Sequence, residues 1–231
     1  MPSAVVRLAI IDNSIDSGVY KPVEHWAGFL PISGRAFRAP DGRLPDGPSE
    51  YSHYILTGSE ASILDRPPWV EAEAGFVREA FAAGASILGS CYGHQLLAYA
   101  LFGSGCVGRG PRPEVGWLPI EILASNGLLG PAGTAYAFSH HRDEVLDLPS
   151  ACSILARSEG CEVQAFGVPG RNVWGIQMHP EIDIPTGRAF LADLAARGAE
   201  SRELDLAALD RPARDSGLIS KIVNHFIAFS S

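Results

Sequence analysis

The sequence predicts an α/β fold: an open, largely parallel central sheet flanked by helices, with added antiparallel strands. In the N-terminal half, short apolar runs rich in β-branched residues alternate with helical patterns, which is typical of βαβ units. From about Val115 onwards, strand patterns follow one another without helices between them. We expect those later strands to extend or flank the sheet in antiparallel fashion.

The βαβ part consists of three strands and two helices. In chain order they are strand AVVRLAII (4–11), strand HYILTGS (53–59), helix WVEAEAGFVREAFAAG (69–84), strand ASILG (85–89) and helix GHQLLAYALFG (93–103). Gly84 and Gly103 end the two helices, because glycine readily adopts the backbone conformation that follows a helix. The Gly- and Pro-rich segment Arg35–Ser49 is predicted to be a loop.

The C-terminal part predicts further strands and then helices. The strand patterns are VGWLPIEIL, TAYAFS, CSILARS, EVQAFGV and NVWGIQM. Helical patterns return after Pro185, and the last of them, LISKIVNHFIAF (218–229), has a clear apolar face. Without a repeat or a convincing boundary, we expect a single domain over 1–231, with its motifs in 5–183 and C-terminal helices in 186–231.

Composition excludes several classes of protein. A formal net charge of −8 over 231 residues argues against a nucleic-acid binder, which would normally carry a basic patch. The four cysteines form no C-x-x-C pair and are too sparse for a disulfide scaffold. The N-terminus lacks the features of a signal peptide, and no apolar run approaches the length of a membrane span. These features predict a cytoplasmic protein with no membrane partner.

The stretch GSCYG (89–93) lies between a predicted strand and a predicted helix, as in a nucleophile elbow. Free cysteine is often simply buried, but a buried cysteine does not need a glycine two residues away on each side. The elbow would expose Cys91 at a helix N-terminus, which favours the thiolate. The backbone N–H of Tyr92 would point into the same space, where it could stabilise an oxyanion.

A cysteine nucleophile needs a base, and GIQMHPEID (175–183) supplies a candidate. Pro180 keeps His179 out of the helical region, and residues two apart in an extended segment project to the same side. Glu181 can therefore hold one nitrogen of His179 while the other nitrogen faces a thiol. For His25, His53 and His225 the sequence context favours a structural role.

Together these stretches resemble the class I glutamine amidotransferases. ILGSCYGHQLLA is similar to their nucleophile segment G-x-C-x-G-x-Q, and QMHPE to their Q-F-H-P-E segment. Three more matches follow in order: YILTGS (54–59), EVGW (114–117) and HRDEV (141–145). Ser59 and Met178 depart from the common pattern, since many members have Gly-Pro at the first position and Phe at the second; T-G-S is similar to a stand-alone, GMP-synthase-like subgroup.

The resemblance implies a flavodoxin-like fold and a role for each matching residue. Cys91 is implied as the nucleophile, His179 as general base and then acid, and Glu181 as its orienting carboxylate. Gly58 is implied as the second backbone donor of the oxyanion hole beside Tyr92. Gln95, His141 and Asp143 are the implied substrate-binding residues, with Asp143 positioned to meet an α-amino group.

The implied activity is cleavage of the glutamine side-chain amide through a γ-glutamyl thioester, with ammonia passing to a separate synthetase subunit. The first alternative is a stand-alone γ-glutamyl peptidase, and the second is a cysteine-based redox sensor or chaperone of the same superfamily. No cofactor is implied. The pairs Cys91–His94 and His140–His141 could suggest a metal, but no second pair completes a site, so we expect none.

Overall fold

Nine strands of the described residues form one mixed sheet with the order β2-β1-β3-β4-β9-β8-β7-β5-β6. This computed structural model describes residues 5–16, 18, 20–196 and 210–228. The strands are β1 (Leu8–Asp12), β2 (Gly34–Arg38), β3 (His53–Leu56), β4 (Ser86–Ser90), β5 (Val107–Ile122), β6 (Gly133–Val145), β7 (Ser153–Arg157), β8 (Ala165–Gly167) and β9 (Val173–Ile176). The helices are α1 (Pro22–Ala27), α2 (Val70–Ala82), α3 (Tyr92–Phe102), α4 (Ile184–Ala196) and α5 (Leu218–Ala228).

The two halves of the sheet follow the two patterns of the sequence. Strands β2, β1, β3, β4 and β9 pair in parallel. Strand β9 then pairs antiparallel with β8, and β7, β5 and β6 continue in the same fashion. The predicted fold class is confirmed. The single-domain assignment stays a prediction, and part of its C-terminal segment (197–209 and 229–231) lies outside the described residues.

The loop predicted over Arg35–Ser49 is wrong at its start, because β2 covers Gly34–Arg38. This strand lies at the edge of the sheet and pairs only with β1, so most of its side chains are exposed. An edge strand of this kind is held by backbone hydrogen bonds to its neighbour and carries no apolar pattern that would reveal it in the sequence. Helix α1 was likewise not predicted.

Several boundaries also differ from the predictions. Strand β1 begins at Leu8, and β3 ends at Leu56. Strands β5 and β6 are much longer than the predicted strands, because the two pair along most of their length. Strand β6 therefore includes the HRDEV motif. The predicted helix ends are close to the observed ones: Gly84 and Gly103, both with positive φ, follow α2 and α3.

The hydrophobic core lies on both faces of the sheet. One cluster packs α2 and α3 against the parallel strands, and another packs α5 against the opposite face. A smaller third cluster joins Val115, Trp117 and Phe138 of the long hairpin to Tyr20 and to α4. These layers fix the carboxyl ends of β3, β4 and β9 side by side. Within the described residues, no helix is both long enough and apolar enough to cross a membrane.

Candidate active site

Cys91 lies in the tight turn between β4 and α3, with a φ of 49° that is unusual for a residue other than glycine. Its backbone N–H donates to the carbonyl of Ile176 at 2.8 Å. A Cβ atom on Gly89 would lie 2.3 Å from the Gly93 carbonyl oxygen, and one on Gly93 would lie 2.2 Å from that of Leu56. Only glycine fits at these two positions, as the elbow interpretation expects.

The segment after β9 brings His179 and Glu181 to this elbow. His179 Nδ1 lies 2.8 Å from Glu181 Oε1, and both side chains are buried. Cys91 lies close enough to the His179 side chain to interact with it electrostatically. Burial alone would lower the pKa of His179, but the negative charges of Cys91 and Glu181 raise it above its ordinary value. This arrangement favours the imidazolium form of His179.

Tyr20 belongs to the same cluster, although no sequence pattern pointed to it. Its hydroxyl donates to Glu181 Oε1 at 3.1 Å, and its ring packs edge-on against His179 at 5.3 Å between centroids. Burial, together with the charge of Glu181, raises the pKa of Tyr20 well above its ordinary value. The hydroxyl therefore stays protonated and donates to the carboxylate.

Gly58, the second predicted oxyanion donor, lies directly beside the histidine. A Cβ atom on Gly58 would lie 2.7 Å from both His179 Cε1 and the Tyr20 hydroxyl, so no larger residue fits without displacing them. The Thr57 carbonyl accepts the Gly93 N–H at 3.1 Å and so ties this loop to the elbow. Tyr92, the other predicted donor, is the first residue of α3.

The predicted substrate-binding residues line one cavity of about 100 Å³ that includes Cys91. Gln95 Nε2 donates to the Asp143 backbone carbonyl at 2.6 Å, which ties α3 to β6. The Asp143 carboxylate accepts from Arg109 Nε at 3.1 Å and from the Ser62 hydroxyl. The cavity therefore presents both charged and amide groups near the nucleophile, and the binding roles of these residues stay predictions.

His141 also lines this cavity, and its ring is held in place by a carboxylate partner. Its Nε2 lies 3.1 Å from Glu114 Oε2, and Glu114 accepts further hydrogen bonds from Gln164 and Ser158. Sequence reasoning missed this network because its members come from separate strands and loops. The pairing of β5 with β6 sets Glu114 opposite His141.

Of the remaining histidines, His140 lines the cavity and His25 packs against the Tyr20 ring at 5.9 Å between centroids, whereas the other three lie elsewhere. His94 is buried in the core against Phe166, and burial lowers its pKa to about 3. His53 bonds to the backbone carbonyl of Phe226, and His225 packs against Trp174. In the described part of the chain, no group of three or more histidine, cysteine and acidic residues has the arrangement of a metal site.

The chain is similar in sequence to glutamine-hydrolysing enzymes. In sequence, the chain is 43% identical over 97 residues to one subunit of the glutamine-hydrolysing GMP synthase of Thermococcus kodakarensis, covering 42% of this chain and 50% of that protein. It is 43% identical over 129 residues to the glutamine-hydrolysing GMP synthase of Aeropyrum pernix, covering 55% of this chain and 24% of that protein. The chain thus spans half or less of the length of these relatives.

Solved structures show the same fold over nearly the whole chain. A glutamine amidotransferase from Thermotoga maritima superposes with a TM-score of 0.79 at 23% identity, covering 97% of this chain and 99% of that one. One from Methylobacillus flagellatus gives 0.75 at 23% identity, covering 96% and 90%. The family model "Glutamine amidotransferase class-I" matches residues 44–195, well over half of the chain. The chain therefore belongs to the class I glutamine amidotransferase family.

Proposed function

We propose that this chain hydrolyses the side-chain amide of glutamine through a γ-glutamyl thioester on Cys91, and that the ammonia passes to a separate synthetase subunit. The observation that carries the proposal is the buried Cys91–His179–Glu181 cluster at a strand-to-helix elbow. A thiol, an imidazole and an orienting carboxylate in this order are what nucleophilic acyl transfer requires.

In the first half of the reaction, the Cys91 thiolate attacks the carboxamide carbon. The N–H groups of Tyr92 and Gly58 receive the negative charge that develops on the oxygen. The imidazolium of His179 gives its proton to the departing nitrogen, the carbon–nitrogen bond breaks, and ammonia leaves. Glu181 holds the imidazole in the orientation that this transfer needs, and Tyr20 in turn holds Glu181.

In the second half, water attacks the thioester and His179 accepts its proton. The carbon–sulfur bond breaks, the electron pair returns to the Cys91 sulfur, and glutamate leaves. Gln95, His141 and Asp143 are proposed to bind the amino-acid end of the substrate, because they line the Cys91 cavity. An ammonia-using partner is supported by the relatives, one of which is named as a glutamine-hydrolysing GMP synthase and another as one subunit of such an enzyme.

The redox-sensor alternative has less support. In that class we expected the histidine shortly after the cysteine, and His94 is the residue in that position. Its imidazole packs on Phe166 within the core, whereas His179 is the histidine that interacts with Cys91. A thiol whose partner is an oriented imidazole is better suited to acylation.

The proposal is tested by glutamate release from L-glutamine and from a panel of γ-glutamyl peptides. The Cys91→Ala variant should lose activity by on the order of 10⁴-fold or more, because no other group replaces the nucleophile. Cys106→Ala is the matched control: burial raises the pKa of that thiol, and its sulfur contacts only the Phe102 carbonyl among the hydrogen bonds we find in the described residues.

The outcome separates the remaining possibilities. Activity that survives in Cys91→Ala would exclude Cys91 as the nucleophile. Fast turnover of γ-glutamyl peptides with slow turnover of glutamine would identify a self-sufficient peptidase. Slow turnover of both, with Cys91 still labelled by a glutamine-like electrophile, would support an amidotransferase subunit that needs its synthetase.

A further inference from the structure

Two cavities meet beside the candidate triad. The larger, of about 100 Å³, contains Cys91, and the smaller, of about 20 Å³, lies against His179. Ser59, Glu60 and His140 line both cavities, so the two adjoin along these residues. About 10–15 Å³ is enough for one water molecule that has polar neighbours. The smaller cavity thus has the size of a single water site next to the proposed base.

His140 is fixed at this junction by the backbone of β6. The N–H of His179 donates to the carbonyl of Phe138 at 2.8 Å, so the segment that carries the base bridges to β6. His140 is two residues further along the strand and projects to the same face as Phe138. Its ring packs against Phe190 at 4.8 Å, and its carbonyl lies 3.8 Å from the Cys91 sulfur.

The imidazole of His140 is available for a water molecule. Three other polar residues at the small cavity already make hydrogen bonds: Glu60 Oε2 accepts the Ile15 N–H at 2.9 Å, the Tyr20 hydroxyl donates to Glu181 at 3.1 Å, and Ser59 Oγ accepts the Ala61 N–H at 3.0 Å. Among the described residues, the His140 ring makes no hydrogen bond to another side chain or to the backbone.

The protonation state of His140 suits the binding of a water molecule. Burial lowers its pKa to about 3, and the neighbouring His179 and His141 act in the same direction. The ring is therefore neutral throughout the ordinary working range. A neutral imidazole has one N–H donor and one nitrogen acceptor, so it can both donate to and accept from one water molecule.

We infer that His140 is a further catalytic residue, which holds in the small cavity the water molecule that hydrolyses the γ-glutamyl thioester. The inference rests on the proposed function. The water oxygen bonds to the thioester carbonyl carbon, and its proton passes to His179. The carbon–sulfur bond breaks, its electron pair returns to Cys91, and glutamate is released. His140 orients the water and takes no proton in the net reaction.

The test separates the two halves of the reaction. The chain is mixed with excess L-glutamine, ammonia release is followed from the first turnover, and the acyl state of Cys91 is read by mass spectrometry after acid quenching. The His140→Phe variant keeps the ring contact with Phe190 but has no ring nitrogen. It should release one equivalent of ammonia per chain at the wild-type rate, and then turn over more slowly on the order of 10²-fold.

During that slow phase, one γ-glutamyl group should remain on Cys91. His140→Gln restores a donor and an acceptor and should turn over within about tenfold of wild type. His140→Ala, which is smaller and has no polar side-chain atom, should show the same burst as His140→Phe and serves if the phenylalanine does not fit. His225→Gln, on the distant helix α5, is the matched histidine control and should behave as wild type.

Wild-type turnover in His140→Phe, or a slow first equivalent with no accumulation on Cys91, would overturn the inference while leaving the proposed function intact. A wild-type chain that releases no first equivalent, carries no acyl group and is not labelled at Cys91 by a glutamine-like electrophile would overturn both. The two failures are distinct, because one is seen in the variant alone and the other in the wild-type protein.

Discussion

The described residues include two buried histidine–carboxylate pairs of similar geometry. In one, His179 Nδ1 lies 2.8 Å from Glu181 Oε1; in the other, His141 Nε2 lies 3.1 Å from Glu114 Oε2. The first pair follows β9, and the second joins β5 to β6. By residue type, burial and distance, either pair could be taken for the orienting half of a triad.

The pairs differ in what surrounds them. The His179 side chain also interacts electrostatically with Cys91, whereas the Nδ1 atom of His141 has no hydrogen-bond partner among the described residues. Glu114 also accepts from Gln164 Nε2 and Ser158 Oγ, each at 2.6 Å. The second pair is thus part of a network that links strands. Whether a buried histidine–carboxylate pair can take part in catalysis therefore depends on the third group that its histidine contacts.

The largest effect should come from removing the charge of the first pair. In Glu181→Gln the amide keeps the shape of the side chain but loses the negative charge that orients and stabilises the imidazolium of His179. We expect kcat for glutamate release to fall by about 10²–10⁴-fold with little change in the free energy of unfolding. Steady-state kinetics and urea denaturation measure the two quantities. An unchanged kcat would remove Glu181 from the triad.

The matching change in the second pair should affect stability instead. Glu114→Gln places an amide N–H among side chains that donate to the carboxylate, and it should lower the free energy of unfolding by about 2 kcal/mol. The value of kcat should be retained, and any kinetic effect should appear in KM through His141. A large loss of kcat at unchanged stability would show that the two pairs do not differ as described.

The pH dependence of this effect follows from the pKa of Glu114. Burial alone would raise that pKa, but the hydrogen bond and charge of His141 lower it below the ordinary value. A carboxylate with a lowered pKa stabilises the fold at neutral pH and loses this contribution as the pH falls through its folded-state pKa. The stability difference between Glu114→Gln and wild type should therefore shrink in acid.

A third buried carboxyl, that of Glu73, has no histidine partner, and it extends the comparison. Neither oxygen of Glu73, on α2, has a geometrically satisfactory hydrogen bond among the described residues. Burial raises its pKa from 4.5 to about 8, and the nearby amide of Asn13 offsets this only in part. Between these two values the folded chain holds a proton that the unfolded chain has released, so rising pH destabilises the fold.

The variant Glu73→Gln should remove this dependence. Relative to wild type, its free energy of unfolding should rise by up to about 1.4 kcal/mol per pH unit through this window and level off above it. Urea denaturation of both proteins at pH 5, 6.5 and 8 gives the difference directly. A difference that stays constant over the three pH values would show that Glu73 is ionised in the folded protein.

The parts of the site that follow from local rules could be predicted from the sequence. The tight turn at Cys91 needs Gly89 and Gly93, and their spacing is visible in five residues. Pro180 and the two-residue spacing of His179 and Glu181 are equally local. These constraints act within one turn or one extended segment, so the sequence shows them before the fold is known.

The parts that depend on pairing between distant segments could not be predicted. Strand β2 exists because β1 accepts it at the sheet edge, and Tyr20 reaches Glu181 across 161 positions of the chain. The partner of His141 is set by the register of β5 against β6. In each case the residues have no local signal, because the contact is defined only when two remote segments come together.

The place of β9 in the sheet has a consequence for how activity arises during folding. It follows all the other strands in chain order, yet it pairs with β4 on one side and β8 on the other. A growing chain therefore carries Cys91, the proposed nucleophile, long before the segment with His179, the proposed base, and β4 keeps an open edge until that segment is inserted. Turnover is therefore possible only when the sheet is complete. Before that point the chain is inactive, and the open edge of β4 can pair with a wrong strand.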